Sequence, residues 1–176
     1  AFGTAHRSHA STSIIASFFP NEKYFGLLLK DEIDNLEKAL SNPKKPFTAI
    51  IGGAKVSGKI DVIGSLLNKV DNLIIGGGMA YTFSKAMGGN IGSSLLEEDK
   101  VDLARSIIEK AYELDVNLLL PVDSVNANDF NNNADIKNSD IASIQDGYMG
   151  LDIGEKSIQM FSEAIENSKT IIWNGP

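Results

Sequence analysis

Cysteine is absent from the 176 residues, so neither a disulfide framework nor thiol chemistry is available. That absence is compatible with a reducing compartment. No apolar run approaches the roughly 18–20 residues that a membrane-crossing helix needs. The opening AFGTAHRSHAS has neither the long apolar stretch nor the processing pattern of a targeting segment. Basic residues are outnumbered, 16 against 23 acidic, and the net charge of −7 excludes a general attraction for nucleic acid or anionic lipid. A local basic pocket could still hold a phosphate. Histidine is scarce: His6 and His9 have metal-like spacing, but with no cysteine and no third histidine they do not make a zinc site. Arg7 between them is better suited to fork around a carboxylate or phosphate. An apolar fraction of 43% with 22% charged residues is that of a folded globular chain, which argues against general disorder. The length suits one well-packed domain and is small for two.

Hydrophobic periodicity organises what is present. Leu29, Ile33, Leu36 and Leu40 recur at helical spacing and predict an amphipathic helix that Asn42-Pro43 ends. Phe47–Ile51 is apolar without alternation, as in a strand covered on both faces. Gly52-Gly53 follows, then a predicted helix over Val56–Asn68. Leu73–Ile75 is the next strand, and Gly76-Gly77-Gly78 leads into a short helix over Met79–Met87. Ser94 and Glu97 match a capping box for a helix whose Val101, Ala104, Ile108 and Ala111 share a face. Asn117–Leu120 is a third strand. The Asn- and Asp-rich stretch from Asp123 to Tyr148 reads as loops with a small antiparallel excursion. A last helix carries Ile158, Phe161 and Ile165, and the strand Thr170–Trp173 follows it. Alternating strands and helices predict a three-layer α/β/α, Rossmann-like unit with a largely parallel sheet, incomplete as given.

Ligands of such sheets collect at the carboxyl ends of strands. Gly52–Lys59, Gly76–Gly78 and Asn174–Pro176 are predicted to lie there. Glycines let backbone approach an anion, and a helix starting near Lys55 would put Lys55 and Lys59 on one face, ready for nucleotide phosphates. The alternative is a tight strand-to-helix turn with two solvated lysines. Gly53–Lys59 also matches the body of a P-loop, but Ile60 stands where that motif needs Ser or Thr for magnesium. A P-loop-like NTPase is therefore the weaker enzymatic alternative, and a non-catalytic nucleotide-binding module the other. The glycines of the second loop could equally serve sheet–helix proximity. Asp123, just past a strand, could help magnesium or cap a turn.

Seven stretches occur in order from Ala1 to Pro176: AFGTAHRSHAS, FTAIIGGAKVSGKI, LIIGGGMAYTFSKA, GSSLLEEDK, LPVDSV, MGLDIG and TIIWNGP. In this series the chain resembles phosphoglycerate kinases. The resemblance implies two α/β domains joined by a helix and a hinge. It also implies reversible, magnesium-dependent phosphoryl transfer between 1,3-bisphosphoglycerate and ADP, giving 3-phosphoglycerate and ATP. A cytoplasmic, monomeric glycolytic transferase is implied, with no nucleic-acid or membrane partner. By position, Arg7 corresponds to an arginine that holds 3-phosphoglycerate, with His6 and His9 in its basic surroundings. Lys55 matches the lysine associated with the phosphoryl group in flight, and Lys59 one that holds nucleotide phosphate. Gly52 and Gly53 belong to that loop, Gly76 and Gly77 resemble the adenine wall, and Gly150 and Asn174 match further nucleotide-side positions. No metal ligand is carried over. Gly58 departs from a frequent Asp, and Glu155 from a frequent Pro.

The chain opens at Ala1 without methionine and stops after a strand-like run at Pro176. The resemblance covers somewhat under half of a family enzyme. Residues 1–26 are thus expected to end an N-terminal substrate domain, residues 27–42 to form the interdomain helix, and residues 43–176 to begin the nucleotide domain. The 176 residues alone are expected to be inactive as a kinase.

Overall fold

The computed structural model describes residues 8–175, so the calls on His6 and Arg7 lie outside the described residues. The chain divides into two compact units, Ala1–Pro43 and Lys44–Pro176. The first contains a short π-helical turn, Ala10–Ile14, a 3₁₀ turn, Ile15–Phe18, and helix α1, Leu27–Ser41. In α1 the expected stripe is only partly shielded. Leu29, Ile33 and Leu40 are half-buried, whereas Leu36 is 39% exposed. Lys30 and Asp34 pair along the exposed side, one helical turn apart.

The second unit is built on a parallel sheet. Its strands are β1 (Phe47–Gly52), β2 (Asn72–Gly76), β4 (Asn117–Leu119) and β9 (Thr170–Asn174), in the spatial order β4-β2-β1-β9. Five of six β1 residues are buried, which is why its sequence lacks polar alternation. Helix α2 (Ile60–Leu67) connects β1 to β2, and α3 (Met79–Ala86) with α4 (Val101–Glu113) connects β2 to β4. Helix α5 (Glu155–Glu166) leads into β9. The chain steps outwards from β1 to β2 to β4, then returns to the other side of β1, so right-handed crossovers put α5 on the opposite face from α2 and α4. The core between the layers is Phe47, Ile51, Ile63, Leu67, Leu73 and Ile75, each at most 2% exposed.

The Asn- and Asp-rich stretch does form an antiparallel excursion. Strands β5 (Asp123–Ala127), β6 (Ile136–Asp140) and β8 (Met149–Ile153) make a three-stranded sheet with β5 in the middle. Two-residue strands β3 (Asn90–Ile91) and β7 (Ser143–Ile144) pair in parallel beside it. A second core of Ala80, Tyr81, Ile91, Ile141 and Ile144 binds this sheet to α3. No helix among the described residues is long and apolar enough to cross a membrane.

Two expectations are corrected. The helix after β1 begins at Ile60 and not at Val56, because residues 57–59 form a turn that the Lys59 N–H closes on the Val56 carbonyl at 2.9 Å. Gly58 within that turn is a poor helix residue. Ser94 and Glu97 do not form a capping box. The Ser94 hydroxyl is taken by the Gly150 N–H at 2.8 Å, and a 3₁₀ turn at Glu98–Lys100 precedes α4.

Candidate functional site

Adjacent strands β2, β1 and β9 end at one edge of the sheet, and each is followed directly by a glycine. Gly53, Gly77 and Gly175 have φ of +154°, +72° and +114°, a region that side chains rarely enter. The three turns are also pressed together. A Cβ on Gly77 would lie 2.7 Å from the Gly53 carbonyl oxygen, and one on Gly175 would lie 2.1 Å from that of Gly52. Gly52 itself pairs with Gly76 in the sheet register. The Met79 N–H donates to the Gly53 oxygen at 3.0 Å, tying the start of α3 to the first turn. Since the chain leaves β1 in one direction and returns on its other side as β9, this edge holds the topological switch point of the sheet.

Lys59 spans that point. Its Nζ donates to Asn174 Oδ1 at 2.6 Å, a bond between residues 115 apart in sequence. Its Cε passes over Gly53, 3.4 Å from where a Cβ would be, so the stem depends on that glycine's bareness. Lys55 is exposed in the irregular loop before the turn and is not one helical face away from Lys59. The expected shared face therefore does not exist; the loop, not a helix, sets the spacing of the two ammonium groups. Ile60 is the first residue of α2 and offers no hydroxyl, which removes the feature a P-loop would need.

That loop has an acidic partner that local spacing does not reveal, Glu97, 40 residues on from Ser57. The Glu97 carboxylate accepts from the Ser57 hydroxyl at 2.5 Å and the Ser57 N–H at 3.2 Å. Burial works against its charge. The donors of Ser57, the Val56 N–H and the positive charge of Lys55 outweigh that effect and hold the carboxyl below its usual value.

Gly150 lies in β8, apart from the three turns. A Cβ there would come within 2.3 Å of the Tyr81 ring, and the Tyr81 hydroxyl shares a 3.0 Å hydrogen bond with Ser124. The next residue, Leu151, lines a small cavity with Gly77, Ala80, Tyr81, Pro121 and Asp152. Gly150 is thus the back support of a cavity that Gly77 opens onto. His9 is exposed in the first unit, where its carbonyl accepts the Ser13 N–H at 2.9 Å.

Asp123, left open between a metal role and a cap, is a cap. Its carboxylate accepts the N–H groups of Lys156 and Ser157, each at 2.9 Å, at the start of α5, and also the Ser157 hydroxyl. Glu155 is the first residue of that helix, where an acid suits the helix field. Burial again opposes charge on Asp123, but those hydrogen bonds and Lys156 outweigh it and hold the carboxyl below its usual value. Because the folded pKa is depressed, the stabilisation is complete above the ordinary carboxylate range and is lost as pH falls through the folded value. Asp123→Ala is expected to cost roughly 1 kcal/mol at pH 7, the usual loss for a cap. The difference in Tm from wild type should shrink at about pH 3, below the ordinary carboxylate pKa. An undiminished difference at that pH would contradict the ionised cap.

The phosphoglycerate kinase family model matches residues 1–176. A protein named phosphoglycerate kinase 3, cytosolic, from Arabidopsis thaliana is 57% identical over the whole chain, and a phosphoglycerate kinase from Porphyromonas gingivalis is 55% identical. The chain spans 44% and 42% of those two proteins, respectively. The solved phosphoglycerate kinase of Coxiella burnetii superimposes with a TM-score of 0.83 at 42% identity, over 86% of this chain and 39% of that one. With the family pattern matched from the first residue to the last, the chain belongs to the phosphoglycerate kinase family.

Proposed function

We propose that the complete gene product interconverts 1,3-bisphosphoglycerate plus ADP with 3-phosphoglycerate plus ATP, and that this chain supplies the first part of its nucleotide domain. The observation that carries this reading is the Lys59–Asn174 bond across the switch point, above three interlocked glycine turns. Bare backbone and a fixed ammonium there suit a polyphosphate. In the forward direction a terminal oxygen of ADP attacks the phosphorus of the acyl phosphate. The bond from phosphorus to the carboxyl oxygen breaks, and the 3-phosphoglycerate carboxylate leaves with its electron pair. Lys59 would hold nucleotide phosphate, while Lys55, free of any helix, would meet the phosphoryl group in transit. The open space beside Gly76, next to Gly77, would receive the base, with Gly150 supporting Tyr81 behind that side.

Residues 1–26 are assigned to the end of the acid-substrate domain, where Arg7 would grip 3-phosphoglycerate with His6 and His9 nearby. Residues 27–42 are assigned to the interdomain helix, and residues 43–176 to the incomplete nucleotide domain. Among the described residues no group of three His, Cys, Asp or Glu is placed to hold a metal, and Asp123 is committed to α5. The residues described here therefore do not build a resident magnesium site; the ion is proposed to travel with the nucleotide phosphates. We further place the protein in the cytoplasm as a monomer.

A coupled assay of the complete gene product in both directions tests this. Turnover that requires both 3-phosphoglycerate and ATP is expected. ATP hydrolysis indifferent to 3-phosphoglycerate, or nucleotide binding without transfer, would contradict it.

A further inference from the structure

Residues 54–59 belong to no helix or strand, yet they carry both lysines of the proposed site. Such a segment is held by what reaches over to it. Val56 is buried in the core and Lys59 is bonded to Asn174; between these two anchors it is Glu97 whose carboxylate takes two donors from Ser57, midway between the lysines. Glu97 is itself tethered: its N–H donates at 3.3 Å to the Thr82 hydroxyl of α3, a residue 1% exposed. Two of the three residues before it are anchored nearby. A Cβ on Gly78 would lie 2.8 Å from the Leu95 Cδ2, and Ser94 Oγ holds the Gly150 N–H. Residues 94–97 thus touch the turn after β1, the turn after β2, helix α3 and strand β8. A glutamate that served only solubility would not accept both donors of a residue 40 positions away.

We infer that Glu97 is a positioning residue for phosphoryl transfer: by pinning Ser57 it fixes where Lys55 and Lys59 stand over the bound phosphates. The inference rests on the kinase reading above. Its charge reaches Lys55 as well, since that ammonium is among the groups favouring the ionised carboxylate. A misplacement of about 1 Å at a reacting group costs on the order of a hundredfold in rate. In the complete gene product, Glu97→Ala should therefore lower kcat by roughly ten- to a hundredfold, leaving KM for 3-phosphoglycerate within about twofold. Glu97→Gln keeps an acceptor oxygen but loses the charge that strengthens both bonds, so its kcat should fall between.

Two further readings separate positioning from general damage. Ser57→Ala should add little to Glu97→Ala, because both remove the same link. Hydrogen exchange of the Ser57 amide should rise about tenfold or more in Glu97→Ala, with the β1 amides of Ile50 and Ile51 unchanged. Unaltered kcat in Glu97→Ala would overturn the inference. So would a loss shared with loosened β1 amides and strictly additive with Ser57→Ala. Absence of turnover in the wild type would overturn the kinase reading and the positioning role with it. The exchange of Ser57 would then tell that failure apart from a failure of the brace.

Discussion

Replacing Lys55 with alanine in the complete gene product is expected to lower kcat by about a hundred- to a thousandfold, the usual cost of one preorganised donor at a developing charge. The KM for nucleotide should change much less. The reason is positional. Lys59 is already committed, bonded to Asn174 and laid over Gly53, so in the proposed site it would present a fixed charge to phosphate that is there before and after reaction. Lys55 stands in the loop between the first glycine turn and the Ser57 anchor, exposed and bound to no helix. A charge that can reach the moving group is worth most when negative charge spreads over it, and that binding difference appears in kcat. Lys59→Ala should show the reverse split, with nucleotide KM rising more than kcat falls. Arg7→Ala is expected to act chiefly on KM for the three-carbon acid. Near-normal turnover in Lys55→Ala would remove that residue from the chemical step.

Gly77→Ala should strongly damage the fold of this edge, while Gly76→Ala, one residue earlier, should leave the fold nearly untouched. At Gly77 an added methyl would meet the Gly53 oxygen at 2.7 Å and the Gly53 nitrogen at 2.8 Å, both backbone atoms that cannot swing aside. Its φ of +72° adds strain for any side chain. Overpacking and left-handed backbone together amount to roughly 2–5 kcal/mol. In a domain of this size that is a fall in Tm on the order of 10 °C. A Cβ on Gly76 would meet nothing within 4 Å. If the base occupies the space beside it, Gly76→Ala will keep its Tm and raise nucleotide KM. Equal melting losses for both variants would show that the interlocked turns do not bear the strain assigned to them.

The frame of the second unit was legible because its signals are local. Phe47–Ile51 lacks alternation since both faces are covered, and the structure extends it only to Gly52. In α4, Ala104 and Ala111 are buried as their spacing implies; Ile107 joins them, and Ile108 is half-buried on the flank of the same face. What local pattern could not supply was the identity of long-range partners. Ser94 and Glu97 have capping-box spacing, but Gly150 claims one and Ser57 the other, from 56 and 40 residues away. Helical spacing of Lys55 and Lys59 failed for the same cause, since the loop is held from outside. Asp123 became a cap only because β5 runs beside the start of α5. The ladder of Asn90-Ile91 with Ser143-Ile144 is too short to leave any periodic trace. The glycine motifs were visible, but the difference between Gly76 and Gly77 is a matter of what stands within 3 Å.

The central claim is that nucleotide binds where β1, β2 and β9 end. Titrating the complete, isotope-labelled gene product with ADP and following backbone amide shifts tests it directly. The largest changes are expected at Gly53, Lys59, Gly77 and Gly175, with Asp71, Asn72 and Asn117 at the other end of the sheet undisturbed. Changes concentrated at Asp71, Asn72 and Asn117, where a second groove lies beside Met160 and Ala164, would contradict it.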